Sequence, residues 1–198
     1  MILPDFAERA KSQLRDLHRV LKRYRVRLFR SAEREIAILA YSALFLAEDA
    51  GVPRILADRG RAGVTVRIAL GDPAGPQVAQ RGEEEGIGDV MPAKIRNALI
   101  LFRPLGMVQN IEIRLHRTVL YNSIYRADGQ FLISQHTYGI PAAQAPAFCL
   151  CDPGGGEMAA LYRDSFERVW ASAAQSHGGA GPRAAVGKGD DSADAVVR

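Results

Sequence analysis

The sequence predicts an α/β protein: an α/β/α sandwich on a mixed sheet, preceded by a long N-terminal helix. Three stretches carry that prediction. Residues 64–70, VTVRIAL, form an apolar run of strand length closed by Gly71-Asp72-Pro73, as a buried strand does. Residues 115–139 hold two runs that alternate in polarity and meet at Asp128-Gly129, a strong hairpin signal. Residues 157–173 repeat Met158, Leu161, Tyr162, Phe166, Val169 and Trp170 at helical spacing, so a final amphipathic helix lies against the sheet.

The N-terminal element is read as one helix over residues 5–30. Ala7, Ala10, Leu14, Leu17, Leu21, Tyr24 and Leu28 alternate spacings of three and four, a heptad seam. Such a seam serves packing on the domain itself, dimerisation, or connection to a partner. Between Arg19 and Arg30 lie six basic residues and no acid, so contact with phosphates or an acidic partner is a further reading.

EIAILAYSALFL (residues 35–46) fits either a buried strand or a continuing helix, and periodicity alone leaves both open. Val52 to Arg61 reads as a helix ended by Gly63, so strand, helix and the strand at 64–70 describe a crossover between parallel strands. The acidic stretch at residues 81–89 reads as the charged start of a helix running from Asp89 to Phe102. Its three glutamates with Asp72 or Asp89 are the alternative, a divalent cation site. Asn110 to His116 is a strand leading into the hairpin, Pro141 to Pro146 a loop, and Ala147 to Cys151 a last strand. Beyond Gln175 the chain is too polar to offset its ordering entropy, and disorder is expected. The expected division is a basic helix at 1–34, an α/β domain at 35–174 and a tail at 175–198.

The hairpin sets a register. Asn122 opposes Gln135, Ser123 opposes Ser134, and Tyr121 opposes His136. One face then carries Tyr121, Ser123, Tyr125, Leu132, Ser134 and His136, and the other Leu120, Asn122, Ile124, Arg126, Phe131, Ile133 and Gln135. Apolar and neutral polar groups on both faces suit a central strand pair ending near a site.

Composition excludes several classes. The chain has 198 residues, a net charge of +4 and two cysteines, Cys149 and Cys151, spaced too closely for an easy mutual disulfide. Both are expected in the core of a reduced, cytoplasmic protein. No apolar run reaches the roughly 18 residues of a membrane span, and MILPDFAERAK lacks the pattern of a signal peptide. The four histidines are scattered, no phosphate loop or dinucleotide fingerprint is present, and neither a metal nor a cofactor is expected.

GVTVRIALGDP, the following helix, NIEIRLH, the Asp-Gly hairpin and FERVW together resemble one repeat of the phospholipase D-like phosphodiesterase fold, over about Glu35 to Ala173. More closely, RGEEEGIGD, RIALGDP, LYNSIYRADG and YRDSFERVW look like an actinobacterial domain of unknown function, commonly found C-terminal to a helix-turn-helix in transcriptional regulators. The superfamily resemblance implies a nucleophilic histidine at the position of Tyr121, a phosphate-binding lysine at that of Ser123, and an aspartate at Asp128. Gln135 and His136 stand for its Gly-Ser pair, and Gly139 for its asparagine. Only the aspartate is kept, which implies loss of the phosphodiesterase reaction and leaves His136, Tyr121 and Asp128 as candidate catalytic residues with none assigned.

The expectation is therefore a non-catalytic sensor domain of a cytoplasmic regulator, with Asp72, Tyr121, Ser123, Asp128, Ser134 and His136 binding a small-molecule ligand, phosphorylated ligands included. The resemblance implies a homodimer. DNA contact is expected only through a module outside this chain, since no DNA-binding fold is legible before residue 35. The alternatives are a phosphodiesterase or nuclease with a rearranged site, in which His136 supplies the imidazole and Arg126 or Arg114 the charge, and a protein- or DNA-interaction module using the basic helix.

Overall fold

The computed structural model describes residues 23–142, 144–152 and 156–176. Residues 5–22 of the expected N-terminal helix, and residues 177–198 of the tail expected at 175–198, lie outside them, whereas Gln175 and Ser176 pair with the sheet. Residues 23–30 are helical (α1), and the rest of the seam's last turn packs on the domain: Leu28 and Phe29 are fully buried, and Tyr24 lies against the same core. Burying those two side chains contributes roughly 3–6 kcal/mol toward holding α1 in place.

Seven strands form one sheet in the order β6-β5-β4-β1-β2-β3-β7. Strands β1 (Glu35–Ala40), β2 (Thr65–Gly71) and β3 (Ile111–His116) run parallel, whereas β4 (Asn122–Ala127), β5 (Gln130–Gln135) and β6 (Ala147–Cys151) continue antiparallel on the far side of β1. The short β7 (Ala174–Gln175) pairs antiparallel with β3. The sheet is mixed, and the change from parallel to antiparallel falls between β1 and β4.

The ambiguous stretch at 35–46 divides. Its β-branched half, Ile36 and Ile38, is strand, and every position from Ile36 to Ala40 is buried. Ala43 then takes a left-handed conformation (φ 46°, ψ 23°) and begins a single helical turn, α2 (Leu44–Ala47). Helices α3 (Gly51–Arg61), α4 (Pro76–Glu84), α5 (Val90–Phe102) and α6 (Glu157–Ser172) complete the layers, with a 3-10 turn at Arg103–Met107.

Alternate residues of β1 enter two different cores. Ile36 and Ile38 join Val66, Ile68, Leu70 and the buried faces of α1 and α3, while Ala37 and Leu39 join Phe166, Val169 and Trp170 of α6. Helix α5 reaches both, through Phe102 on one side and Ile95 on the other. Both faces of the sheet are covered, as in an α/β/α sandwich.

The β4–β5 register is the one the hairpin predicts, with Asn122 opposite Gln135, Ser123 opposite Ser134 and Tyr125 opposite Leu132. Its two faces go to the two cores: Tyr125 and Leu132 to one, Ile124, Phe131 and Ile133 to the other. At the turn Asp128 has φ 51°, in the left-handed region that Asp tolerates. Gly129 is required by crowding, because a Cβ there would sit 2.6 Å from the carbonyl oxygen of Asp152.

Three local readings are corrected. The acidic stretch ends a helix instead of starting one: α4 stops at Glu84, and the amides of Ile87 and Gly88 fold back onto the carbonyl of Gly82. Cys149 and Cys151 are exposed, because β6 is an edge strand whose Phe148 and Leu150 pack against one core and Ala147 against the other. Met158 and Leu161 are also exposed, and the buried stripe of α6 runs through Ala159, Phe166, Val169 and Trp170.

Candidate functional site

A cavity of about 260 Å³ opens at the carboxyl end of β1. This is the end of the sheet, beside the change in strand direction, where open α/β sheets tend to place ligands. Ala40 lines it from β1, Tyr41–Phe45 from the reversal into α2, Ser123 and Tyr125 from β4, and His136 from just past β5. Glu48, Glu85, Met91, Lys94, Pro141 and Ala142 complete the wall. A left-handed alanine in the wall, Ala43, holds roughly 1–3 kcal/mol of backbone strain, the kind of outlier that concentrates at ligand sites.

A chain of hydrogen bonds forms the polar side. The Nδ1 of His136 lies 3.1 Å from the carbonyl oxygen of Leu120. A carbonyl only accepts, so Nδ1 carries the hydrogen and Nε2 a lone pair. Ser123 Oγ, 2.9 Å from Nε2, is then the donor, and the buried Tyr125 lies in the same cavity wall. The Leu120 amide donates to the Tyr41 hydroxyl at 3.0 Å, and the Tyr41 ring stacks on the imidazole with centroids 5.5 Å apart. The backbone of one residue, Leu120, therefore positions both rings, its N–H holding Tyr41 and its C=O holding His136.

The electrostatics favour a neutral imidazole. Burial pushes the His136 pKa down to about 4, against the opposing pull of the Leu120 carbonyl and with help from the Arg81 charge. Burial likewise raises the phenols of Tyr41 and Tyr125. Arg81 is itself buried and paired with Glu85, the two side chains 5% and 4% exposed and 2.7 Å apart, and its guanidinium also donates to the carbonyl of Ile140. Two glutamates of the acidic stretch, Glu85 and at 3.7 Å Glu84, thus pair with Arg81 at the edge of the cavity. Among the described residues no group of three or more His, Cys, Asp or Glu could hold a metal ion.

Of the six residues singled out from sequence, the structure brings Ser123 and His136 together in the cavity. Tyr121 is 81% exposed, and its carbonyl accepts the His136 amide at 2.9 Å while its ring faces solvent. Ser134, opposite Ser123, is half-buried and outside the cavity wall. Asp72 sits at the same end of the sheet but on β2's side, where it accepts from Arg117 Nε at 2.8 Å and from the Ala74 amide at 2.9 Å. Asp128 lies at the opposite end, where its carboxylate accepts the amides of Glu33, Arg34 and Glu35 at 2.8, 3.0 and 2.8 Å. Burial raises its pKa, but those three amides outweigh it and hold the carboxyl below its ordinary value. His116 is buried at the end of β3, between the carbonyl of Ala40 and the amide of Thr118.

Tyr41, Lys94, Arg81 and Glu85 escaped sequence reasoning as members of this site. The signal for the last two was present, as an Arg-Glu pair four apart on a helix.

No family model and no curated protein matches this chain. Among solved structures it is similar to Nuc, a phospholipase D family member from Salmonella typhimurium, at 16% identity and a TM-score of 0.46, covering 80% of this chain and 90% of that one. It is also similar to TrmBL2, an archaeal chromatin protein whose structure shows a novel mode of DNA binding, at 15% identity and a TM-score of 0.46, covering 85% of this chain and 62% of that one.

Proposed function

We propose that this chain is a ligand-binding effector domain of a cytoplasmic regulator, and that its cleft recognises a small molecule without cleaving phosphodiesters. The observation that carries this reading is the cavity at the carboxyl end of β1, walled by Tyr41, Phe45, Tyr125 and His136. Its size suits a compact metabolite, being slightly below the usual range for drug-sized ligands of ~300–1,000 Å³. Lys94 offers a charge to an anionic ligand, phosphorylated ones included. The wall also touches α1, since the Arg25 guanidinium lies over Phe45, which gives occupancy a route to the preceding helix and to a second subunit there. Contact with DNA belongs to a module outside this chain.

The loss of phospholipase D-type chemistry is supported by placement. Tyr121, at the nucleophile position of the resemblance, points to solvent, and Asp128 caps backbone amides at the far end of the sheet. The test is a thermal-shift screen of small anionic and neutral metabolites, alongside an assay with bis(p-nitrophenyl) phosphate and nucleic acid. Stabilisation that Tyr41→Ala abolishes is expected, with no phosphodiester turnover. Phosphodiester turnover that His136→Ala abolishes would overturn the reading in favour of a rearranged phosphodiesterase.

A further inference from the structure

The Ser123–His136–Leu120 chain has a consequence beyond binding. Its order is that of a nucleophile, a base and an orienter: hydroxyl donating to Nε2 at 2.9 Å, and Nδ1–H donating to a fixed carbonyl at 3.1 Å. A backbone oxygen takes the place a carboxylate holds in the familiar triads, and it fixes the same tautomer. Ser123 and His136 both line the cavity, Ser123 with 4% of its surface exposed, so the pair stands at the cavity wall. Lys94 lines it too, half-buried, and brings positive charge to a wall that also carries Glu48 and Glu85.

We propose that Ser123 is an acyl-accepting nucleophile and that the cavity takes small, activated carboxylic esters. Ser123 Oγ bonds to the ester carbonyl carbon as its proton passes to His136 Nε2, and the bond from that carbon to the leaving oxygen breaks. The leaving alkoxide departs with the proton from Nε2. Water then attacks the seryl ester and gives a proton to Nε2, the acid is released, and the Ser123 oxygen recovers that proton. Ester and water become carboxylic acid and alcohol, with no redox change.

Two features set the character of the reaction. The imidazole is neutral above about pH 5, because burial pushes its pKa down to about 4, so the acylation rate is flat across neutral pH. The same weak basicity, with no carboxylate behind Nδ1, confines acylation to good leaving groups and slows the attack of water. The acyl group therefore accumulates on Ser123, which makes the domain a covalent sensor as much as a hydrolase.

The proposal rests on the reading that the cavity admits small molecules, and the experiment separates the two. The full chain is mixed with p-nitrophenyl acetate, nitrophenolate release is followed, and the acetylated peptide is located by mass spectrometry. A burst near one equivalent per chain is expected, with the acetyl group on the peptide carrying Ser123. Ser123→Ala abolishes the burst, and His136→Gln slows it on the order of 100-fold. The unfolding midpoints of both variants show that they are folded. Acetylation confined to Lys94 or Tyr121, or a burst that survives Ser123→Ala, overturns the proposal. Thermal stabilisation by a non-ester ligand, with no acylation of Ser123 by any activated ester, also overturns it while leaving the binding function intact.

Discussion

The guanidinium carbon of Arg25 lies 4.3 Å from the centroid of the Phe45 ring, and 5.9 Å from that of Tyr125. Arg25 belongs to α1 and both rings belong to the cavity wall, so one buried cation joins the helix to the site. A desolvated cation–π contact contributes on the order of 2 kcal/mol. Arg25→Met keeps the stem and removes the charge. It is expected to lower unfolding stability by about that amount and to speed amide exchange in residues 23–30 relative to β1. Unchanged exchange in α1 would show that Leu28 and Phe29 alone hold the helix.

The hairpin register was legible because alternation, an Asp-Gly turn and two covered faces all specify the same pairing. The cavity was not, since Tyr41, Glu85, Lys94 and His136 come from four separate segments and meet only through the crossovers. Polarity alone could not distinguish Tyr121 from Ser123: they share a strand face, but the strand begins at Asn122 and leaves the tyrosine beyond the sheet in solvent. The cysteines misled for a related reason. Small and soft residues suit a core, yet only the strand order shows that β6 is an edge.

Asp128 is expected to act on stability and not on ligand affinity. Its carboxylate satisfies three amides at the entry to β1, and its own backbone holds φ 51°. Asp128→Ala leaves those amides unpaired and places a Cβ-only residue in the left-handed region, a loss of roughly 2–4 kcal/mol. Asp128→Asn keeps two acceptor lone pairs and the conformational tolerance, and is expected to cost less than half as much. Urea denaturation of the two variants measures the difference, and ligand-induced shifts should match the parent's.

The Arg81–Glu85 pair makes a sharper case. Both side chains are almost fully buried, so removing one leaves the other as an uncompensated charge. Arg81→Met is expected to destabilise by about 3–5 kcal/mol, whereas Arg81→Met with Glu85→Met recovers most of it. A double variant no more stable than the single would mean that the hydrogen bond to Ile140, lost in both, dominates.

Protonation of His136 predicts how stability depends on pH. Its pKa is about 4 in the folded protein against an ordinary 6.5, because burial disfavours the imidazolium and Arg81 repels it. The unfolded chain therefore binds more protons between those values, and stability falls as pH falls from 6.5 toward 4. The contribution present at neutral pH is on the order of 3 kcal/mol. His116, whose pKa burial also depresses, adds a decline in the same direction. Below that window Asp72, Asp128, Glu112 and Glu167, all held below their ordinary values, lose their partners' stabilisation in turn. His136→Gln presents an amide to Ser123 and Leu120 without a titrating group. It is expected to flatten the slope of unfolding free energy between pH 6.5 and 4, while leaving the acid limb below pH 4 in place. An unchanged slope in that variant would assign the whole decline to His116 and would mean that the His136 ring is solvated enough to titrate normally.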